Sequence, residues 1–281
     1  MTDEIKSSDA PIDRDDRIAA ELRSNDIARQ LAAIDSILAA PEDISSEVQG
    51  LLIACIGAER KLLQRRAIDA LAATANAGDC RVREALERTM VRGNRRARFG
   101  AAYALAQLGG DNLAIECAAA LCEALGDDDG DIRWAASVLV VQLGRAYRDE
   151  VRARMISLAA DGNPNARKMA LYCIRDLGIA GADVLALLER AARDANVHIR
   201  LAALSVLAKI DDSSGDAAGI ALKSLESDPD AGVRRAAAVA IGHVRSSTSR
   251  TLPALRIAAA SETDPALARA AQGALNRLEK R

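Results

Sequence analysis

The chain has 281 residues and a formal net charge of −2, and half of it is hydrophobic but only 2% aromatic. That length accommodates two ordinary domains or one elongated repeat array. Few aromatics argue against a β-sandwich or barrel and suit closely packed helices, and the near-neutral charge supplies no global positive field for nucleic acid or anionic lipid.

Residues 1–13 are polar, contain Pro11 and show no periodicity, which predicts a disordered tail ahead of one domain over 14–281. The opening MTDEIKSSDAPIDRDD is acidic and unlike a signal peptide. No run approaches the roughly 18 apolar residues of a membrane span. Five cysteines, Cys55, Cys80, Cys117, Cys122 and Cys173, include no CxxC pair. Most sit in apolar helical runs, which points to a reducing compartment without a disulfide framework. These features together predict a cytoplasmic protein with no membrane contact.

From about Asp15 onward the pattern is helical, with short breaks at Asp, Asn, Gly or Pro. A register anchored on Arg133, here the slot, recurs at Gln30, Gln64, Arg98, Arg133, Arg167, Arg200, Arg234 and Ala268, a period of 33–35 residues. Three residues after every slot stands Ala: Ala33, Ala67, Ala101, Ala136, Ala170, Ala203, Ala237 and Ala271. Seven after stands Ile37, Leu71, Leu105, Val140, Ile174, Leu207, Ile241 or Leu275. Offsets 3, 7 and 10 share one helix face, so that face is core, and its alanines let two helices approach closely.

Four residues before the slot come Asp26, Arg60, Asn94, Asp129, Asn163, Asn196, Asp230 and Asp264. All but Arg60 carry a side-chain oxygen that can accept from a free first-turn N–H, so they read as N-caps. Pro164 and Pro265 follow two of them at the first helical position. A preceding helix is predicted over roughly 47–57, 79–92, 114–125, 149–160, 182–193, 216–227 and 250–261. Helix pairs at fixed period describe an all-α fold, a right-handed α-solenoid of about eight pairs.

The phrase Asp228-Pro229-Asp230, Val233-Arg234 and the Ala-rich run behind it, with its equivalents over residues 15–279, resembles the HEAT-repeat family. The likeness is to the short bacterial type often named after phycobilisome-lyase repeats. It implies second helices lining a concave surface. Its shared motifs are structural, so the activity it implies is open: a binding scaffold, or a lyase or chromophore-handling chaperone.

Six residues before the slot lie Arg92, Asp127, Asp161, Asp194, Asp228 and Glu262 in the last six units. A catalytic pair occurs once, whereas a packing device recurs, so the recurring Arg and acid read as structural. Pairing each Arg with the next unit's acid closes the series. The expected ladder is Arg98–Asp127, Arg133–Asp161, Arg167–Asp194, Arg200–Asp228 and Arg234–Glu262. Arg also has donors to spare for the turn's carbonyls.

Chemistry is sparse. The only histidines, His198 and His243, stand in different repeats and are not followed by Glu. HEAT-repeat hydroxylases use His-Glu pairs for iron, and none occurs. Cys117 and Cys122 have the wrong spacing for zinc. GxSxG, GxxxxGK[ST] and GxGxxG motifs are missing. No metal, cofactor or catalytic residue is expected. The cluster Arg88, Arg92, Arg95, Arg96 and Arg98 has Glu84 and Glu87 beside it, a solvated mixed surface. Trp134 with Asp131 resembles the Asp–Trp site of HEAT-like DNA glycosylases, but the overall charge does not suit phosphate binding.

One pattern is left over. Offsets 1, 5 and 8 point away from the alanine face. They hold Phe99 and Tyr103, then Trp134, Val138 and Val141, then Tyr172, then Leu201. Four of the chain's five aromatics share this face. They form either a groove for a partner protein or peptide, or packing between neighbouring second helices. The expectation carried forward is a non-catalytic scaffold or adaptor that binds a protein partner there, with nucleic-acid binding as a further alternative.

Overall fold

The computed structural model describes residues 13–42, 44–109, 115–244 and 248–280. Apart from Asp13, the expected tail lies outside them. The chain forms two compact units, residues 1–120 and 121–281.

In the first unit α1 (Arg14–Leu22) pairs with α2 (Ile27–Ala39), α3 (Ser46–Ile56) with α4 (Lys61–Asn76), and α5 (Cys80–Arg92) with α6 (Arg95–Gly109). A 3₁₀ turn, Ile115–Cys117, leads into α7 (Ala118–Ala124), which runs across the boundary between the units. The second unit continues with α8 (Gly130–Ala146), α9 (Arg148–Asp161), α10 (Pro164–Asp176), α11 (Ala182–Ala191) and α12 (Val197–Leu207). It ends with α13 (Asp216–Ser227), α14 (Ala231–Ile241), α15 (Thr251–Ala259) and α16 (Pro265–Leu278). Every described element is helical. Within each unit the even-numbered helices stack on one another as one layer, and the odd-numbered helices form the other.

The register explains this layering. All eight slot-plus-three alanines are 0% exposed. A methyl group is the largest side chain that lets two helix backbones close to the short end of the usual 8–10 Å separation. The slot-plus-seven aliphatics are buried beside them. Seven second helices begin on the expected cap. Asp26, Asn94, Asp129, Asn163, Asn196, Asp230 and Asp264 each accept a first-turn N–H at 2.8–3.0 Å. Arg60 makes no side-chain cap. Two helices end in Schellman turns at Gly78 (φ +109°) and Gly178 (φ +60°), where Asp79 N–H bonds Thr74 C=O and Ile179 N–H bonds Ile174 C=O. Glycine adopts those left-handed angles without the strain that a Cβ would bring.

Slot residues saturate the end of the preceding helix and its turn. Gln30 and Gln64 donate Nε2 to the carbonyls of Leu22 (3.1 Å) and Ile56 (2.8 Å). Arg133 gives Nη1 to Asp127 and Asp128 C=O, Arg200 to Asp194 and Ala195 C=O, and Arg234 to Asp228 and Pro229 C=O, all at 2.7–3.3 Å. Arg98 does the same to Gly93 C=O.

The ladder is made at two rungs of the second unit. Arg167 pairs with Asp194. Arg200 binds Asp228 with two parallel bonds, 2.8 and 3.0 Å, and the side chains are only 11% and 5% exposed. Each acid also accepts the N–H two residues on, from Asn196 (2.8 Å) or Asp230 (2.9 Å). That turn folds the carboxylate inward.

Two expected rungs are corrected. Arg133 and Asp161 form no ion pair, because Asp161 is the exposed last residue of α9 rather than part of the turn. That seam is held instead by Asn163 Nδ2 on Gly126 C=O (3.0 Å) and Asn165 Nδ2 on Asp127 C=O (3.3 Å). Arg234 reaches Asp264 at 4.0 Å rather than Glu262. Glutamate is one methylene too long for the same inward turn, and Ser261 Oγ takes the Asp264 N–H in its place (3.2 Å). Asp127 makes the turn, accepting Asp129 N–H at 2.9 Å.

Two outcomes are expected in denaturant unfolding. Ala170→Leu overpacks the seam and costs about 1–3 kcal/mol. Arg200→Ala strands a buried carboxylate and costs about 3–5 kcal/mol, whereas Arg133→Ala removes only carbonyl contacts and costs about 1–2 kcal/mol. Equal losses at Arg133 and Arg200 would contradict the distinction between rung and turn.

Candidate functional site

In the first unit Phe99 is buried, and its ring lies 5.9 Å from that of Tyr103 at an interplanar angle of 51°. Phe99 presents little surface to a partner, which corrects its expected role as a contact residue. Phenylalanine has no polar edge to keep in water, and an edge-tilted aromatic contact favours its burial. Tyr103 is half-buried.

The second unit holds the exposed part of the stripe. Trp134 is 68% exposed and Val138, one turn on, is 48% exposed. Val141 is half-buried on the same face of α8. On the neighbouring α10, Tyr172 is half-buried beneath Arg175, whose guanidinium carbon stands 4.9 Å from the ring centroid. Such stacking holds both groups flat against the helix. Leu201 on α12 is half-buried. Trp134 makes no ring contact or side-chain hydrogen bond among the described residues. Tryptophan pairs a large apolar body with an N–H donor and is enriched at protein interfaces.

Five exposed apolar groups were not singled out by the register, Leu62, Val91, Val239, Leu252 and Ile257, and two of them bear on the site. Val239, 40% exposed at offset 5 of α14, extends the same face, and the offset itself marks it. Ile257, 76% exposed, rims a concavity of about 670 Å³ between α13, α15 and α16, lined by Leu225, Pro253 and Leu267. A register anchored on second helices carries no signal for α15. A smaller cleft of about 300 Å³ beside the Arg200–Asp228 rung is lined by Glu189, Arg193 and Lys223, charges already paired with one another.

The described residues offer little reactive chemistry. No three His, Cys, Asp or Glu side chains converge as a metal site among them. All five cysteines are free thiols. Burial pushes the Cys173 thiol up to about 12 and those of Cys117 and Cys122 up to about 11. None of these three is a nucleophile near neutral pH. Iodoacetamide at pH 8 should therefore alkylate exposed Cys80 first and leave buried Cys55, Cys117 and Cys173 unmodified until unfolding, as read by peptide mass mapping. No described helix is long and apolar enough to cross a membrane.

Comparison with known proteins agrees with the layering. Residues 184–276 match the HEAT-repeat family model. Curated protein sequences give no significant match. Among solved structures, the chain is similar to YibA of Escherichia coli, with TM-score 0.58, 14% identity, and 95% and 93% of the two chains covered. It is similar to an engineered protein, with TM-score 0.50, 16% identity, and 95% and 78% covered. It is also similar to a chain of the complex in which Kap95p binding induces the switch loops of RanGDP to adopt the GTP-bound conformation. There the TM-score is 0.59 and identity 13%; the alignment covers 94% of this chain and 40% of that one. Residues 184–276 therefore carry HEAT repeats, and the same alanine seam and capped second helices run through the other pairs of an all-α solenoid.

Proposed function

We propose that this protein is a non-catalytic scaffold or adaptor that holds a protein partner on the outward face of its second helices. Trp134 carries the reading. It is a large aromatic, 68% exposed, beside Val138 at 48%, on a helix that Asp129 caps, whose Arg133 saturates the turn and whose Ala136, Val140 and Leu143 are core. Val141, Tyr172 and Leu201 extend the face, and Val239 adds to it. HEAT repeats commonly mediate protein–protein interaction, and stacked repeats present extended surfaces suited to it. The buried thiols of Cys117, Cys122 and Cys173 supply no nucleophile near neutral pH, which favours a binding role over covalent catalysis by these groups. The unpaired cysteines support a reducing, cytoplasmic setting.

The test is a pull-down with Trp134→Ala/Val138→Ser. Partner recovery should fall at least ten-fold, while thermal stability changes by no more than about 0.5 kcal/mol, as expected of exposed positions. Undiminished recovery would sink the site.

A further inference from the structure

The second helices of the second unit, α8, α10, α12, α14 and α16, stack in sequence, so their outward positions form one continuous face. Offsets 1, 5 and 8 on these five helices give fifteen positions, of which Gly242 alone is buried, against Ala274 of α16. Four are cationic, Lys168, Arg175, Arg235 and Arg269, and none is acidic. The chain as a whole carries −2, so the excess is local to this face.

The nearest carboxylates offset half of it: Asp176 pairs with Arg175 at 2.7 Å, and Asp264, the cap of α16, lies 3.8 Å from Arg235, which leaves Lys168 and Arg269 as the uncompensated cations. Asp131 stands at the edge, two residues before the slot of α8. Lys168 and Arg269 make no side-chain hydrogen bond or ion pair among the described residues. Exposed apolar groups, Trp134, Val138 and Val239, alternate with these cations along the stack.

We infer that the occupant of this face is an acidic amphipathic segment of a partner protein. Its apolar side chains seat on Trp134, Val138 and Val239, and its carboxylates meet Lys168 and Arg269. The inference rests on the docking reading above and adds the partner's chemistry. Apolar contact supplies affinity at the aromatic anchor, and charge sets which partner is accepted and how fast it arrives. Nucleic acid fits less well. About one cation per helix, with helices roughly 8–10 Å apart, is sparse for a strand bearing a phosphate every ~3.4 Å, and the exposed valines offer it nothing.

The experiment selects a random peptide library on the immobilised full chain and measures enriched peptides by fluorescence anisotropy. Enriched sequences should combine apolar residues with Asp and Glu, and Lys and Arg should be depleted. Trp134→Ala should abolish their binding. Lys168→Glu/Arg269→Glu should weaken it by about ten-fold or more, an effect that shrinks at high salt. Unchanged helicity and melting would show that these variants fold.

If neutral or basic peptides are enriched and still depend on Trp134, the docking face stands and the acidic partner is overturned. If enrichment ignores Trp134→Ala, or none occurs, both readings fall. Salt-sensitive retention of a (dT)20 oligonucleotide, lost in the double reversal, would assign the face to nucleic acid and overturn the inference.

Discussion

Every repeat depends on one fully buried alanine methyl three residues after the slot. It fixes how near two helices come, and nothing larger fits at that position without moving backbone. Around it the second helix divides its circumference. One arc, at offsets 3, 7 and 10, is committed to core. The first turn is committed to a cap. The slot side chain is committed to the carbonyls of the helix before it. The arc at offsets 1, 5 and 8 is drawn into packing at Phe99 and Gly242, but on α8 it leaves Trp134 and Val138 in water, and the docking surface is placed there.

The slot shows how one geometric need is met by different chemistry. Exposed carbonyls at the end of a helix and in its turn require donors. Gln30 and Gln64 meet the need with an amide and no charge. Arginine meets it with one nitrogen and has others left over. Where the next turn folds an aspartate inward, as at Asp194 and Asp228, the spare nitrogens form a repeat-to-repeat ion pair. Where it does not, as at Asp161, asparagine–carbonyl bonds hold the seam. The carbonyl contact is therefore the shared element, and the ion pair is an addition to it.

This explains what was legible in the sequence. The alanine and cap positions recur with a fixed period, and a periodic signal reports directly on which way Cβ points. Helix pairing and core followed from it. The failures lie where the outcome depends on a neighbour rather than on the residue's own helix. Phe99 and Trp134 share an offset, but one ring packs on Tyr103 and the other stands in water. Asp161 and Asp194 share an offset, yet one ends a helix and the other begins a turn. Glu262 carries the right charge on a side chain of the wrong length. Ile257 lies on a first helix, where no register was anchored. Offset gives direction, whereas burial and partner depend on what the adjacent repeat places there.

The functional account reduces to whether Trp134 stands free in water when the chain is alone. It is the only tryptophan in the chain, so its fluorescence reports on that residue without ambiguity. Acrylamide quenching of the isolated protein measures the point directly. The account predicts a red-shifted emission and quenching close to that of a free tryptophan side chain. A blue-shifted emission with strong protection would mean that the ring is buried against its own chain, and the docking face would be contradicted.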